Sequence, residues 1–218
     1  MSTNPKVAER IKINFALAPI SILNDLHGPT LLLAKLPDTL FKILFGEKEF
    51  FPNSFLTRFT GQDLCNREIF STICDDVLLL INGFDTINFN KSRIDVYVAH
   101  NPGGTSIQNI LHFSQAFHEI RQILSPYDWR SPKENLAHYN QTIPLTYNLS
   151  TMKVPTALWS GLRDLMADPK DVSSLIPQIP KIIYHKILPA FDHLAFVFGV
   201  DAPQTIYYEI IKMIKKTL

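Results

Sequence analysis

Asp164 and His193 are the two residues of this chain whose types and positions best suit acid–base chemistry. Asp164 follows the apolar run Val154–Ser160, which ends at Gly161, and His193 follows the apolar run Ile182–Leu188. Such runs are typical of buried parallel strands, beyond whose carboxyl ends reactive groups collect. An aspartate there can fix the tautomer of a histidine that takes a proton from a nucleophile. The pair predicts the acid and base of a hydrolase; the alternative is a surface aspartate and an unrelated loop histidine.

The nucleophile that such a pair requires is missing from the sequence. In α/β-hydrolases a serine occupies a G-x-S-x-G turn, and none of the eight glycines brackets a serine in this way. The nearest approach, Gly104–Gln108 (GTSIQ), precedes a helical pattern, so Thr105 or Ser106 is better interpreted as a helix cap. The segment His27–Pro29 (HGP) is in the wrong place to supply oxyanion-hole donors. We therefore expect this chain to lack both the nucleophile and the oxyanion hole.

The remaining residues that could bind metals or cofactors do not form a site in the sequence. Five other histidines lack paired ligand spacing and are interpreted as helix-face or loop residues: His100, His112, His118, His138 and His185. Cys65 and Cys74 form no C-x-x-C pair, and eight glycines in 218 residues make phosphate-binding loops scarce. We expect neither a metal nor a cofactor.

The last third of the chain predicts the elements that position the acid–base pair. Between the two apolar runs, Asp168 is suited to cap a helix that has Pro169 at its first position and runs to about Ile179. After His193, Asp201 and Pro203 open a last amphipathic helix. The order is strand, acidic loop, helix, strand, histidine loop, helix, which predicts an α/β fold.

Earlier parts of the chain have hydrophobic patterns that differ from those of the last third. Lys12–Pro19 alternates apolar residues with small or polar ones and predicts a largely buried strand, preceded by a short helical piece ending near Arg10. From Asn24 to about Asn148 the chain shows proline-punctuated amphipathic segments: Leu40–Phe45, Asp63–Ile81 and Ser106–Leu124. This middle part predicts a helical insertion.

Composition excludes several classes of protein. With 46% hydrophobic and 19% charged residues and a net charge of +1, the chain should fold as a globule and has no basic stripe for nucleic acid. Apolar runs such as Val77–Ile81 are too short to span a membrane. Residues 1–13 lack the apolar core of a signal peptide, which indicates a cytosolic protein if the chain is translated as it stands. Three N-x-S/T sequons, at Asn90, Asn140 and Asn148, point instead to secretion.

Three stretches closely resemble the acid lipases, which are the gastric and lysosomal lipases and their epidermal relatives. They are Arg93–Asn109 (RIDVYVAHNPGGTSIQN), His138–Gln141 (HYNQ) and Gly161–Val172 (GLRDLMADPKDV). The resemblance runs over essentially the whole chain. It implies an incomplete α/β-hydrolase sheet with a large helical cap: residual core helix and strand in residues 1–23, cap in residues 24–148, and C-terminal core segment in residues 149–218.

The resemblance also implies a function. Acid lipases hydrolyse acyl esters of neutral lipids, triacylglycerols or steryl esters, through a serine acyl-enzyme, and Asp164 and His193 match the family's acid and base. The family's G-H-S-Q-G nucleophile turn lies just before the segment matching Ser2–Pro5. The chain therefore looks like somewhat more than the C-terminal half of such a lipase, and alone it should be inactive. The alternative is a truncated, catalytically inactive pseudolipase that binds lipid at most.

Other features of the family carry over in the same way. Its members are secreted or lysosomal glycoproteins, which implies glycosylation at the three sequons and contact with neutral lipid or a lipid–water interface through the cap. The family has a disulfide at the positions of Cys65 and Cys74. On one continuous helix their Cα atoms would lie about 13.5 Å apart, too far for a bridge, so a bridge requires a break in the helix; the alternative is two free thiols.

Two departures from the family pattern concern the acid–base pair. The family usually has Leu-Asp-Phe after the histidine, whereas Leu194-Ala195-Phe196 lacks the carboxylate, so we expect weaker support for His193. Many members have Gly-Gly-x-Asp where this chain has Gly161-Leu162-Arg163-Asp164. The bulkier Leu162 is expected to shift the loop that carries the acid.

Overall fold

The computed structural model of the chain describes residues 4–50, 88–93, 96–97, 103–118 and 124–217. Within these ranges the strands are β1 (Asn14–Leu17), β2 (Glu49–Phe50), β3 (Thr105–Ser106), β4 (Thr156–Gly161) and β5 (Ile182–Leu188). The helices are α1 (Pro5–Ala8), α2 (Pro29–Ala34), α3 (Asp38–Phe45), α4 (Ile107–His118), α5 (Pro132–Tyr139), α6 (Pro169–Leu175), α7 (Ala195–Phe198) and α8 (Tyr208–Thr217). Short 3₁₀ turns at Lys91–Arg93, Leu149–Thr151 and Ile176–Gln178 and a π-helical turn at Pro203–Tyr207 complete the elements.

A three-stranded parallel sheet in the order β1-β4-β5 forms the centre of the fold. Every residue of β4 is buried, as expected for a strand with neighbours on both edges and elements on both faces. This arrangement of a parallel sheet with flanking helices is the α/β architecture expected from the sequence. No strand within the described ranges pairs with the free edge of β1.

The connection between β4 and β5 follows the start signals in the sequence. Asp168 caps α6, because its Oδ1 accepts the backbone N–H of Lys170 at 2.8 Å, and Pro169 occupies the first helical position. After Leu175 the helix tightens into a 3₁₀ turn over Ile176–Gln178, which ends before Pro180. Because β4 and β5 pair in parallel with Gly161 opposite Leu188, the carboxyl ends of the two strands lie side by side.

A carboxylate of the last helix accepts hydrogen bonds from side chains on one face of the sheet. Glu209 of α8 accepts hydrogen bonds from Trp159 Nε1 at 3.1 Å, from the Tyr184 hydroxyl at 3.2 Å and from Lys186 Nζ at 2.6 Å. Burial raises the pKa of Glu209, but the hydrogen bonds from Lys186, Trp159 and Tyr184 outweigh it and hold the pKa below its usual value. The carboxylate thus joins β4, β5 and α8.

In the described part of the middle region, helices form within or around two of the predicted amphipathic segments, Leu40–Phe45 and Ser106–Leu124. Helix α3 contains the expected amphipathic segment Leu40–Phe45 and starts two residues before it, at Asp38, and α4 begins where Ser106 Oγ accepts the backbone N–H of Asn109 at 3.0 Å. A small core of Phe41, Phe50, Ile107 and Leu111 joins α3, β2 and α4. The predicted segment Asp63–Ile81, with Cys65 and Cys74, lies outside the described residues, so the disulfide stays a prediction.

Candidate active site

Backbone contacts hold together the two loops that follow β4 and β5. The N–H of Leu162 donates to the carbonyl of Leu188 and that of Arg163 to the carbonyl of Phe191, each at 3.1 Å. Gly161 makes this approach possible, since a Cβ there would lie 2.2 Å from the Phe191 carbonyl oxygen. The loop after β4 and the turn after β5 therefore form one connected unit at the carboxyl edge of the sheet.

Asp164 and His193 meet within this unit. Asp164 Oδ2 lies 2.9 Å from His193 Nδ1, and Asp164 Oδ1 accepts the backbone N–H groups of Met166 at 2.9 Å and Ala167 at 2.8 Å. The aspartate side chain is fully buried. Three donors on two oxygens fix its orientation and compensate the burial of its charge.

The geometry also sets which imidazole nitrogen is available for chemistry. An ionised Asp164 can only accept hydrogen bonds, so Nδ1 of His193 carries the proton and Nε2 keeps a lone pair. The His193 side chain is 24% exposed, and its Nε2 has no hydrogen-bond partner among the residues that the structure describes. This is the arrangement of a general base that is oriented by a carboxylate and open on its other side.

The turn around His193 has its own support. Asp192 is buried, and its Oδ1 accepts the backbone N–H of Ala195 at 2.8 Å, which fixes the chain where α7 begins. Sequence reasoning missed this residue, although an Asp three residues before an apolar helical turn is a start signal. The 2.9 Å contact between Asp164 Oδ2 and His193 Nδ1 forms although Ala195 has no carboxylate. The side chain of Leu162 is half exposed and does not disturb this contact.

A small apolar cavity lies beyond the carboxyl end of β1, on the same edge of the sheet. Its volume is about 170 Å³, and its described lining comes from the segment after β1, from α4 and from the start of the following loop: Ile20, Ser21, Leu23, Asn109, His112, Phe113, Ala116, Leu124 and Ser125. The hydroxyl of Ser21 is buried and has no hydrogen-bond partner among the described residues. The cavity can hold a short hydrocarbon group, since an apolar cavity of about 150 Å³ binds benzene.

The other histidines singled out from the sequence have separate partners. His112 and His118 bond to the carbonyls of Ser125 and Ser114, and His185 Nε2 lies 2.9 Å from the buried Ser160 hydroxyl. His138 stacks on Trp129 at 4.0 Å between ring centroids, and His100 lies outside the described ranges. Burial lowers the pKa of His185. No group of three or more His, Cys, Asp or Glu in the described part of the chain could hold a metal ion.

The three sequon asparagines are exposed. The side chains of Asn90 and Asn148 each accept the hydroxyl of the serine two residues later, at 2.7 and 2.6 Å, and Asn140 has left-handed backbone at the end of α5. No helix in the described ranges has both the length and the apolar character needed to cross a membrane.

Curated proteins similar to this chain are lipases. The chain is 45% identical over 215 residues to gastric triacylglycerol lipase of Homo sapiens, covering 99% of the chain and 54% of the relative. It is 44% identical over 217 residues to lipase member K of Homo sapiens and 42% identical over 217 residues to lysosomal acid lipase/cholesteryl ester hydrolase of Rattus norvegicus, again 54% of each relative. The chain thus spans about half the length of these relatives, in their C-terminal part.

No protein-family model matches the sequence. Among solved structures, a soluble variant of monoglyceride lipase from Saccharomyces cerevisiae in complex with a substrate analogue is 13% identical, with a TM-score of 0.47 over 99% of this chain and 59% of that one. A peroxisomal α/β-hydrolase from the same yeast is 15% identical, with a TM-score of 0.45 over 99% of this chain and 49% of that one.

Proposed function

We propose that the chain, which is similar in sequence to the C-terminal part of gastric and lysosomal lipases, belongs to the acid lipase family and supplies the acid and base of a lipase that hydrolyses acyl esters of neutral lipids. The contact between Asp164 Oδ2 and His193 Nδ1 carries this proposal. His193 Nε2 takes the proton of a serine nucleophile and returns it to the leaving alcohol, while Asp164 holds the tautomer and stabilises the imidazolium.

The serine and the oxyanion donors belong, in this proposal, to a part of the lipase outside this chain of 218 residues. No G-x-S-x-G stands in the sequence, and a triad without its nucleophile retains only residual effects of binding and electrostatics. The chain by itself is therefore inactive. The apolar cavity beyond the carboxyl end of β1 would receive part of the acyl chain, because its lining is mostly hydrocarbon and Asp164 and His193 follow the carboxyl ends of the other two strands of the same parallel sheet.

The native protein provides the first test. We expect its mass after glycan removal to be nearly twice the 24.9 kDa of this chain, with a G-H-S-Q-G peptide upstream. We also expect glycans on Asn90, Asn140 and Asn148 and a secreted or lysosomal location. A native mass no larger than that of this chain would refute the lipase function.

The second test measures hydrolysis of tributyrin and a cholesteryl ester by the native-length protein. His193→Gln should abolish turnover, whereas the matched variant His138→Gln, on the exposed face of α5, should retain it. Equal activity in both variants would refute the role of His193.

The alternative is an inactive pseudolipase that binds lipid. Exposed apolar side chains on α2 and α3 favour it: Leu32, Leu40, Ile43 and Leu44, of which Ile43 is 79% exposed. Binding of the 218-residue chain to phospholipid-coated triolein droplets would test it. Ile43→Asp should weaken binding, whereas Lys42→Ala, which changes the net charge by the same amount, should not. Droplet binding equal in both variants would exclude α3 as the lipid contact.

A further inference from the structure

Asp171 occupies an unusual place for a helix-start acid. It lies in the first turn of α6, where an exposed carboxylate would interact favourably with the helix dipole. The residue is only 3% exposed, although Asp168 already caps the helix. Burying a second carboxylate costs free energy unless it is hydrogen-bonded, so its position requires another partner.

That partner is the start of the helical middle region. Asp171 Oδ2 accepts the backbone N–H of Asp25 at 3.0 Å, across 146 positions of sequence. Two side-chain pairs join the same segments: Lys170 with Asp25 at 3.1 Å, and His27 with Asp168 at 3.4 Å. Lys170 and His27 are exposed, so these pairs contribute little. The buried Asp171 contact is therefore the main polar link between residues 24–28 and α6.

The same segment continues to the loop that carries the candidate acid. His27 N–H donates to the Leu165 carbonyl at 3.0 Å. Gly28 has φ of 75°, and a Cβ added there would lie 3.3 Å from Leu165 Cδ1, so the backbone passes close to this side chain. Leu165 directly follows Asp164, whose Oδ1 accepts the backbone N–H groups of Met166 and Ala167. Residues 24–28 thus connect α6 to the Asp164 loop.

We propose that Asp171 is a positioning residue for the Asp164–His193 pair and acts through residues 24–28 and Leu165. This inference rests on the proposed function, which gives the pair its task. Without the Asp171 acceptor, residues 24–28 leave α6, Leu165 loses the N–H of His27, and Asp164 holds the imidazole less firmly.

The surroundings of Asp171 indicate which substitution separates the effect of its charge from the effect of its acceptor oxygen. Burial raises the pKa of Asp171, and the neighbouring Asp25 and Asp168 raise it further, whereas backbone hydrogen bonds from Asp25 and Asn24 lower it. Because the folded-state pKa is raised, the ionised form costs stability at neutral pH, and this cost is relieved as the pH falls through that pKa. The hydrogen bond from the Asp25 N–H requires the acceptor oxygen of residue 171 but not its charge. Asp171→Asn should keep the link, and Asp171→Ala should remove it.

The experiment follows the Nδ1 proton of His193 by NMR in the 218-residue chain with ¹⁵N-labelled histidine, assigned with His193→Gln. Amide exchange at Asp25 and His27 is measured in the same samples. Asp171→Ala should speed exchange of all three protons by about tenfold or more, and Asp171→Asn should restore wild-type rates. Lys170→Ala, which removes only the exposed pair with Asp25, should change none of them.

Two results with the Asp171→Ala variant would overturn the inference. In the first, the amide protons of Asp25 and His27 exchange faster while exchange of the His193 Nδ1 proton is unchanged. In the second, the Asp25 amide proton stays protected. If Asp171→Ala does not fold by circular dichroism, Asp171→Glu, which moves the acceptor by one methylene, is judged by the same two results. The readout is a hydrogen bond, not turnover. If the native-length protein fails to hydrolyse esters, the proposed function is refuted. The inference about Asp171 is decided by the proton exchange rates alone.

Discussion

Replacing Gly161 by alanine should separate the acid from the base. The added Cβ would lie 2.2 Å from the Phe191 carbonyl oxygen and 2.9 Å from its carbonyl carbon, and both atoms are backbone. Ordinary contact begins at 3.4 Å. To reach that distance from 2.2 Å, the turn that carries His193 must move away by about 1.2 Å, since backbone atoms cannot overlap. A displacement of that size along the line between Asp164 Oδ2 and His193 Nδ1, which are now 2.9 Å apart, takes the two atoms beyond hydrogen-bond distance.

The energetic cost can be estimated from the same contacts. The shift breaks the hydrogen bonds from Leu162 to Leu188 and from Arg163 to Phe191, each worth about 1 kcal/mol. Strain that remains after the loops relax adds about 1 kcal/mol. The sum of about 3 kcal/mol corresponds to a fall in melting temperature of roughly 6–12 °C for a chain of this size.

Thermal unfolding followed by circular dichroism would measure the loss of stability, and the Nδ1 proton signal of His193 would report the contact. Gly46→Ala is the matched control, because Gly46 has φ of 84° but nothing within 4 Å of an added Cβ. It should cost about 1 kcal/mol from backbone strain and leave the His193 signal unchanged. A Gly161→Ala protein with wild-type stability and an intact His193 signal would refute the reasoning.

Three further substitutions test other parts of the structure. Glu209→Ala leaves the Trp159 indole N–H without its acceptor and the Lys186 ammonium with the Thr205 carbonyl but no carboxylate, and it should cost about 2–3 kcal/mol in urea unfolding at about pH 7. Because the pKa of Glu209 is lowered in the fold, this difference should shrink at about pH 3; an equal loss at both pH values would contradict it. Asp164→Asn keeps an oxygen acceptor for the loop, so stability should change by about 1 kcal/mol or less, whereas hydrolysis by the native-length lipase should fall about 10⁴-fold. Phe41→Ala should cost about 3–5 kcal/mol in unfolding yet leave the His193 signal in place; loss of that signal in folded protein would show that the small helical core also supports the pair.

The C-terminal part of the fold was predictable because its signals are local. A strand buried on both faces gives an apolar run, as in Val154–Ser160, and the start of α6 is encoded by Asp168 and Pro169. Since parallel strands bring their carboxyl ends to one edge, Asp164 and His193 could be expected near each other. The structure gives their separation, 2.9 Å, which no sequence pattern contains.

Elements that depend on distant partners were not predictable. Strands β2 and β3 have two residues each and pair across more than fifty residues, with Glu49 opposite Ser106 and Phe50 opposite Thr105. Their formation depends on the packing of Phe50 with α3 and α4. Two residues are too few to show the alternation by which strands are recognised.

Two carboxylates that bind partners inside the fold were missed for a similar reason. Glu209 lies on an amphipathic helix and Asp171 in a first turn, positions where acids usually face solvent. Only the fold shows that Glu209 meets Trp159 and that Asp171 meets the backbone of Asp25. Likewise, Asp192 supports the turn where Ala195 stands in place of the family's aspartate.

The separation along the chain of the residues that meet in the sheet has a consequence for folding. Asp164 and His193 close a loop of 29 residues, whereas Asn14 and Thr156, on neighbouring strands, close one of 142. Chain entropy makes the second closure costlier by only about 1.4 kcal/mol, but long-range pairing is slow. The acid and base should therefore come together before β1 docks. Each doubling of the intervening region costs only about 0.6 kcal/mol, so evolution can lengthen or remodel the segment between β1 and β4 with little loss of stability in the acid–base unit.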